Sequence, residues 1–190
     1  MKNLVLFLFS FLILVSACKK KDTTSTPPVT TSPYYFKGTL DGANYNYTQN
    51  QPEYMFMYTN EAGGYQVANA SLWPSIGLRL SWPADDTVKE SDIMGLIGKT
   101  LYFSDTAITP ELTYDKVAAG TGSWTSIDTS NTSYYVKITN VTFLKKDTTI
   151  GYYLRTYVIT GTCSALMTDL TKTSVFSGGY FNFIISRRDL

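Results

Sequence analysis

Cys18 and Cys163 are the two thiols of this chain, and no histidine stands anywhere to activate either of them. Serine or cysteine triads, most zinc sites and most general acid–base pairs lean on imidazole, so the chemistry left open is that of carboxylates, tyrosines or plain binding. Carboxylates gather once, where Asp85, Asp86, Glu90 and Asp92 fall close together. Oxygen-rich groups of this kind can hold calcium, but the spacing lacks the regular order of an EF-hand loop and equally describes a solvated loop. The same acids would serve a carboxylate-dependent hydrolase only if two of them faced each other across a cleft, and sequence neighbours such as Asp85 and Asp86 do not. Cys163 shares its parity with Tyr157, Ile159 and Ala165, so it reads as a small buried hydrophobe.

Cys18 is different, because of what precedes it. Lys2 gives a short positive start, and Leu4 to Val15 is almost wholly apolar. At about 12 residues this is a secretion-signal core, short of the ~20 needed to span a bilayer. The run ends in Leu14-Val15-Ser16-Ala17-Cys18, which resembles a lipobox. There the thiol receives a diacylglyceryl group, and a peptidase fitting the small Ser16 and Ala17 cuts before the cysteine. Each buried CH₂ of the acyl chains contributes ~0.8 kcal/mol, so two or three chains make a stable anchor. The expectation is a signal over 1–17 and lipidation, palmitate included, at Cys18. Lys19-Lys20-Lys21-Asp22 and a Thr/Ser/Pro stretch then form a tether over 18–33, too polar to build a core.

Of the 16 Lys and Arg, 15 remain once Lys2 is removed, against 15 Asp and Glu. A balanced chain without a basic stripe is a poor match to nucleic acid, which is bound through clustered cations. No cofactor is expected.

The remainder, 34–190, reads as a single domain built of strands. Fifteen tyrosines, ten phenylalanines and frequent Gly, Asn and Asp supply strands and turns, while helix-period patterns are nearly missing. Asp41-Gly42 predicts a tight hairpin, and Asn60 to Gly64 a longer hairpin loop. Ile76, Leu78, Leu80 and Trp82 alternate with polar or small residues, which makes a half-buried strand with Trp82 in the core. Residues 91–98 hold the one candidate helix, capped by Ser91. The parity switch from Val136 and Ile138 to Val141 and Phe143 predicts a bulge near Asn140, with Lys145 to Thr149 as a turn. Phe181, Phe183 and Ile185 face one way, and Tyr180, Asn182 and Ser186 the other. About ten antiparallel strands, with at most one short helix, predict an all-β two-sheet sandwich or flattened barrel.

Trp73, before Pro74, and Trp124, among Gly and Ser, are the tryptophans expected at the surface, where planar rings could stack on sugars. Asp22-Thr23-Thr24, Asp86-Thr87-Val88, Asp105-Thr106-Ala107 and Asp147-Thr148-Thr149 resemble O-glycosylation acceptors.

The Cys-Lys-Lys-Lys-Asp start with its Thr/Pro tether, together with Tyr35-Phe36-Lys37-Gly38-Thr39-Leu40-Asp41-Gly42, Val158 to Ala165 and Gly178-Gly179-Tyr180-Phe181-Asn182-Phe183, resembles the all-β lipoproteins of Bacteroidetes-type bacteria. Where that family often has an aromatic, this chain has Cys163. The resemblance implies an exported all-β domain on the outer membrane, facing periplasm or exterior, and brings neither a catalytic residue nor a ligand. Expected partners are therefore the membrane, through Cys18, and a glycan or another envelope protein. A glycan-binding module of a polysaccharide-uptake system is one form of that role, and the carboxylate-dependent hydrolase is the rival from another class.

Overall fold

A computed structural model describes residues 34–49, 53–54, 59–67, 74–115, 122–149 and 152–189. Cys18, the signal and tether, and Trp73 lie outside the described residues. Among the described residues the strands are β1 (Tyr34–Leu40), β2 (Ala43–Gln49), β3 (Glu53–Tyr54), β4 (Glu61–Val67), β5 (Ser75–Ser81), β6 (Thr100–Tyr102), β7 (Thr109–Asp115), β8 (Trp124–Ser126), β9 (Tyr135–Thr149), β10 (Tyr152–Thr168) and β11 (Thr173–Asp189), with one short helix, α1 (Glu90–Met94). Every pairing is antiparallel, and the domain is all-β.

The long hairpin of β10 and β11 organises the rest. At 17 residues each, both strands outreach their neighbours, so each free edge is shared between two partners. Beyond β10, β11 pairs with β1 over Ser177 to Asn182 and with β4 at Ser186 and Arg187. β10 pairs with β9 over Tyr152 to Ser164 and with β8 at Met167 and Thr168. Because β4, β5, β7 and β8 are joined in that order, hydrogen bonding runs from β11 round to β10 and closes on itself. The outcome is a flattened barrel: one layer in the order β2, β1, β11, β10, β9, β6, the other β4, β5, β7, β8, with β3 on β4. Closure covers the edges of the six strands in the ring, while among the described residues β2 and most of β9 keep an outer edge.

Alternation decides what fills it. Phe36, Phe181, Phe183, Ile185, Tyr157, Ile159, Ile76, Leu78, Leu80 and Leu112 are all 0–1 % exposed and point inward, each such burial contributing about 1.5–3 kcal/mol. Ile93 of α1 and the following Leu96 complete the core. α1 is held by ion pairing of Glu90 with Arg155, and the preceding loop by the Arg187 guanidinium, whose Nη1 donates to the Val88 carbonyl at 2.9 Å.

Several expectations are met. Asp41 and Gly42 both have positive φ, 52° and 76°, the signature of the two-residue turn whose twist suits a hairpin. The bulge is present: Thr160 pairs with Asn140 and Gly161 with Ile138, leaving Thr139 as the extra residue. Others are corrected. Asn60 to Gly64 is not a hairpin loop, since β4 starts at Glu61; its small residues serve close packing, and a Cβ on Gly64 would lie 2.0 Å from the Ile184 carbonyl oxygen. Lys145 to Thr149 continues β9 rather than turning, because β10 extends far enough to pair with it. The helix starts one residue before Ser91, after Lys89, and its first turn is closed by the Asp92 carboxylate, which accepts the Lys89 N–H at 2.7 Å.

Candidate functional site

On the outer face of the long layer, alternation turns the other set of side chains to solvent. Register places them in rows. Tyr35, Asn182, Thr160 and Asn140 stand opposite one another across β1, β11, β10 and β9. The next row is Lys37, Tyr180, Thr162, Lys137 and, on β6, Thr100. A third joins Ser164 to Tyr135 and Tyr102. Directly opposed residues on one face lie close enough for their side chains to interact.

A hollow of about 470 Å³ opens among these rows, lined by Tyr35, Tyr135 and Tyr180 with Thr139, Thr160, Thr162 and Ser164. Its cause is a second bulge. Cys163 pairs with Gly179 but Ala165 with Phe176, so β11 carries one residue more than β10 at Ser177 and Gly178. Gly178 takes φ +60°, and a Cβ there would meet nothing within 4 Å. The left-handed glycine lets the strand bulge without strain and leaves the position beside Tyr180 without a side chain.

The rim is ordered. Tyr35 and Tyr180 meet edge to face, with centroids 5.6 Å apart and planes at 71°, a geometry worth ~0.5–1.5 kcal/mol beyond area. The Lys37 ammonium lies 5.0 Å from the Tyr35 centroid and 5.7 Å from that of Tyr180, within cation–π range. Thr160 Oγ1 donates to Asn182 Oδ1 at 2.9 Å, and Thr139 Oγ1 donates to the Thr160 carbonyl at 3.0 Å. Tyr180 is 46 % exposed. The site thus presents the exposed Tyr180 ring beside the half-buried rings of Tyr35 and Tyr135, flanked by threonine and serine hydroxyls.

Cys163 borders the hollow by its backbone while its side chain turns inward, buried, and burial pushes its thiol well above the ordinary range. The thiolate needed for nucleophilic work is thereby disfavoured. The expectation of a buried, hydrophobic Cys163 agrees with this placement.

The residues singled out in the sequence lie elsewhere. Trp124, expected at the surface, is 7 % exposed, since β8 aims it inward opposite Tyr114. The Lys172 ammonium sits 5.3 Å from its ring, and Lys172 also pairs with Asp41. Beside it Tyr45, Tyr47 and Tyr114 cluster, the Tyr45 and Tyr114 rings 4.8 Å apart. Burial, and then the neighbouring phenols, raise Tyr45 and Tyr114 to about 12. Trp82 falls just beyond β5 and is half-buried rather than core. With Asp85, Asp86, Thr87, Lys89 and Asp92 it borders a separate polar recess.

Three of the four carboxylates, Asp85, Asp86 and Asp92, border that recess, and Glu90 does not. Glu90 is taken up by Arg155 and Asp92 by the start of α1, while Asp85 and Asp86 are exposed. Among the described residues no group of three or more His, Cys, Asp or Glu side chains is placed to hold a metal ion. Thr87, Thr106 and Thr148 of the Asp-Thr patterns are exposed, and Thr23 lies outside the described residues.

The hollow was within partial reach of sequence reasoning. Alternation puts Tyr180 opposite in sense to Phe181, which marks it as outward. Its company was not visible, because Tyr35, Thr160 and Tyr135 reach it through pairings between distant strands. Comparison with protein-family models finds no match, and comparisons with curated proteins and with solved structures find none either.

Proposed function

We propose that this chain is a lipid-anchored lipoprotein of the outer membrane whose all-β domain binds a ligand without transforming it, and that the outer-face hollow is where the ligand sits. The observation that carries the binding role is the set of tyrosine rings, Tyr180 exposed and Tyr35 and Tyr135 half-buried, around a floor of threonine and serine hydroxyls. Such a lining offers apolar faces for stacking and polar groups for orientation, the combination that small-ligand sites use. Ring-shaped polar ligands fit it best, which favours a glycan over an apolar molecule.

Anchoring rests on Leu14-Val15-Ser16-Ala17-Cys18. Two or three acyl chains on Cys18 would hold the domain at the bilayer. Growth with labelled fatty acid tests this: label should enter the wild-type chain and be absent from Cys18→Ser, which should move to the soluble fraction. A wild-type chain that takes up no label, or one whose mass retains residues 1–17, would overturn the anchored reading.

A further inference from the structure

We infer that the ligand of the outer hollow is an anionic polysaccharide, a run of linked sugar rings carrying carboxylate groups; this rests on the binding reading of the hollow. The charge pattern of the face is the ground for it. β1, β2 and β6 contain no Asp or Glu, and neither do 135–142 of β9, 158–164 of β10 or 177–182 of β11. In a chain with 15 acidic residues that is a wide carboxylate-free area, and it surrounds the hollow.

The cations on it are placed with regularity. Lys37 and Lys137 occupy the same cross-strand row, with Tyr180 and Thr162 between them. Three strand spacings separate them, about 14 Å at ~4.8 Å each. Lys137 is exposed, and the Lys37 ammonium is already seated beside two ring centroids. A ligand lying along this row would meet a cation, an exposed aromatic face, a hydroxyl and a second cation in turn. That order complements several linked rings with negative groups toward both ends, and a single small anion would use only one end. A lipid surface also favours tyrosine with lysine, but it is met by side chains that project, whereas these rings border a recess over a floor of threonines.

The test uses the full chain in neutral-detergent micelles, titrated with polygalacturonate and with uncharged dextran. Polygalacturonate should bind at low salt, weaken steeply as salt is raised, and bind at least tenfold more tightly than dextran. Replacing both lysines, Lys37→Gln with Lys137→Gln, should reduce affinity about tenfold or more and flatten the salt dependence. Tyr180→Ala should weaken binding at every salt concentration while leaving that dependence steep. Equal binding of dextran, lost in Tyr180→Ala, would overturn the anionic assignment and leave the hollow as a glycan site. Polygalacturonate binding unchanged in the lysine double variant would overturn it as well. Binding of neither polymer would overturn the inference together with the glycan reading. Displacement of polygalacturonate by phosphatidylglycerol added to the micelles would assign the face to lipid headgroups instead and overturn the proposal.

Discussion

The two faces of the long layer are built from alternate residues of the same strands, yet they differ in kind. Inward stand Phe36, Phe181 and Phe183, wholly buried, their rings 5.4 to 5.5 Å apart. Outward, one residue away along the chain, stand Tyr35, Tyr180 and Asn182. Phenylalanine has no polar atom to satisfy and can fill a closed interior; tyrosine keeps its hydroxyl wet and its ring available. One face therefore holds the fold together, and the other is free to be specialised without cost to it.

That separation can be broken most forcefully from the inside. Phe181→Ala should destabilise the domain by about 3–5 kcal/mol, as large-to-small changes in cores do, whereas Tyr180→Ala, its exposed neighbour, should cost only ~1–2 kcal/mol. Urea denaturation of both variants measures the contrast, and similar losses would mean that the outer rings are structural after all.

Gly161 sharpens the comparison from a second side, because it lies where the inner aromatic layer meets the strand backbone. A Cβ there would stand 2.1 Å from the Lys137 carbonyl oxygen and 2.6 Å from Phe181 Cζ. Gly161→Ala should cost ~1–3 kcal/mol through overpacking, seen as a lower denaturation midpoint. Gly178, open on the outer side, presents no such clash, and its substitution should act through the positive φ alone, at ~1–2 kcal/mol.

The smallest expected effect is one of pH and concerns tyrosines that face inward. Tyr45 and Tyr114 are raised by burial to about 12, from an ordinary value of 10.0. Between those values the unfolded chain would have lost phenol protons that the folded one keeps, so stability should be constant below pH 10 and fall as pH rises from 10 to 12. Absorbance titration should find these phenols ionising late; early ionisation of both would show that the cluster is open to water.

How much of this was legible depends on the range over which each signal acts. Ile76, Leu78 and Leu80 announce their strand because alternation is local, and Asp41-Gly42 announces its turn because two adjacent residues carry the needed φ values. The bulge at Thr139 was visible as a change of parity, again a local mark. Asn60 to Gly64 misled because glycine serves both turns and close strand contacts, and only the approach of Ile184 tells which. Trp124 misled for a related reason: its Gly and Ser neighbours suggest a loop, but Tyr114 across the pair decides where it points. The hollow needs four strands in register, and no segment of the chain contains that information by itself.

The ring of hydrogen bonds closes through β11, which pairs with β1, β4 and β10 and stands at the far end of the described chain from β1. Topology of this sort makes folding slow, because the most distant segments must meet before the interior is sealed. Most strands before it can pair among themselves, but β1, β4 and β10 each keep one edge open until β11 arrives, so the seventeen-residue strand acts as the clasp that closes the ring.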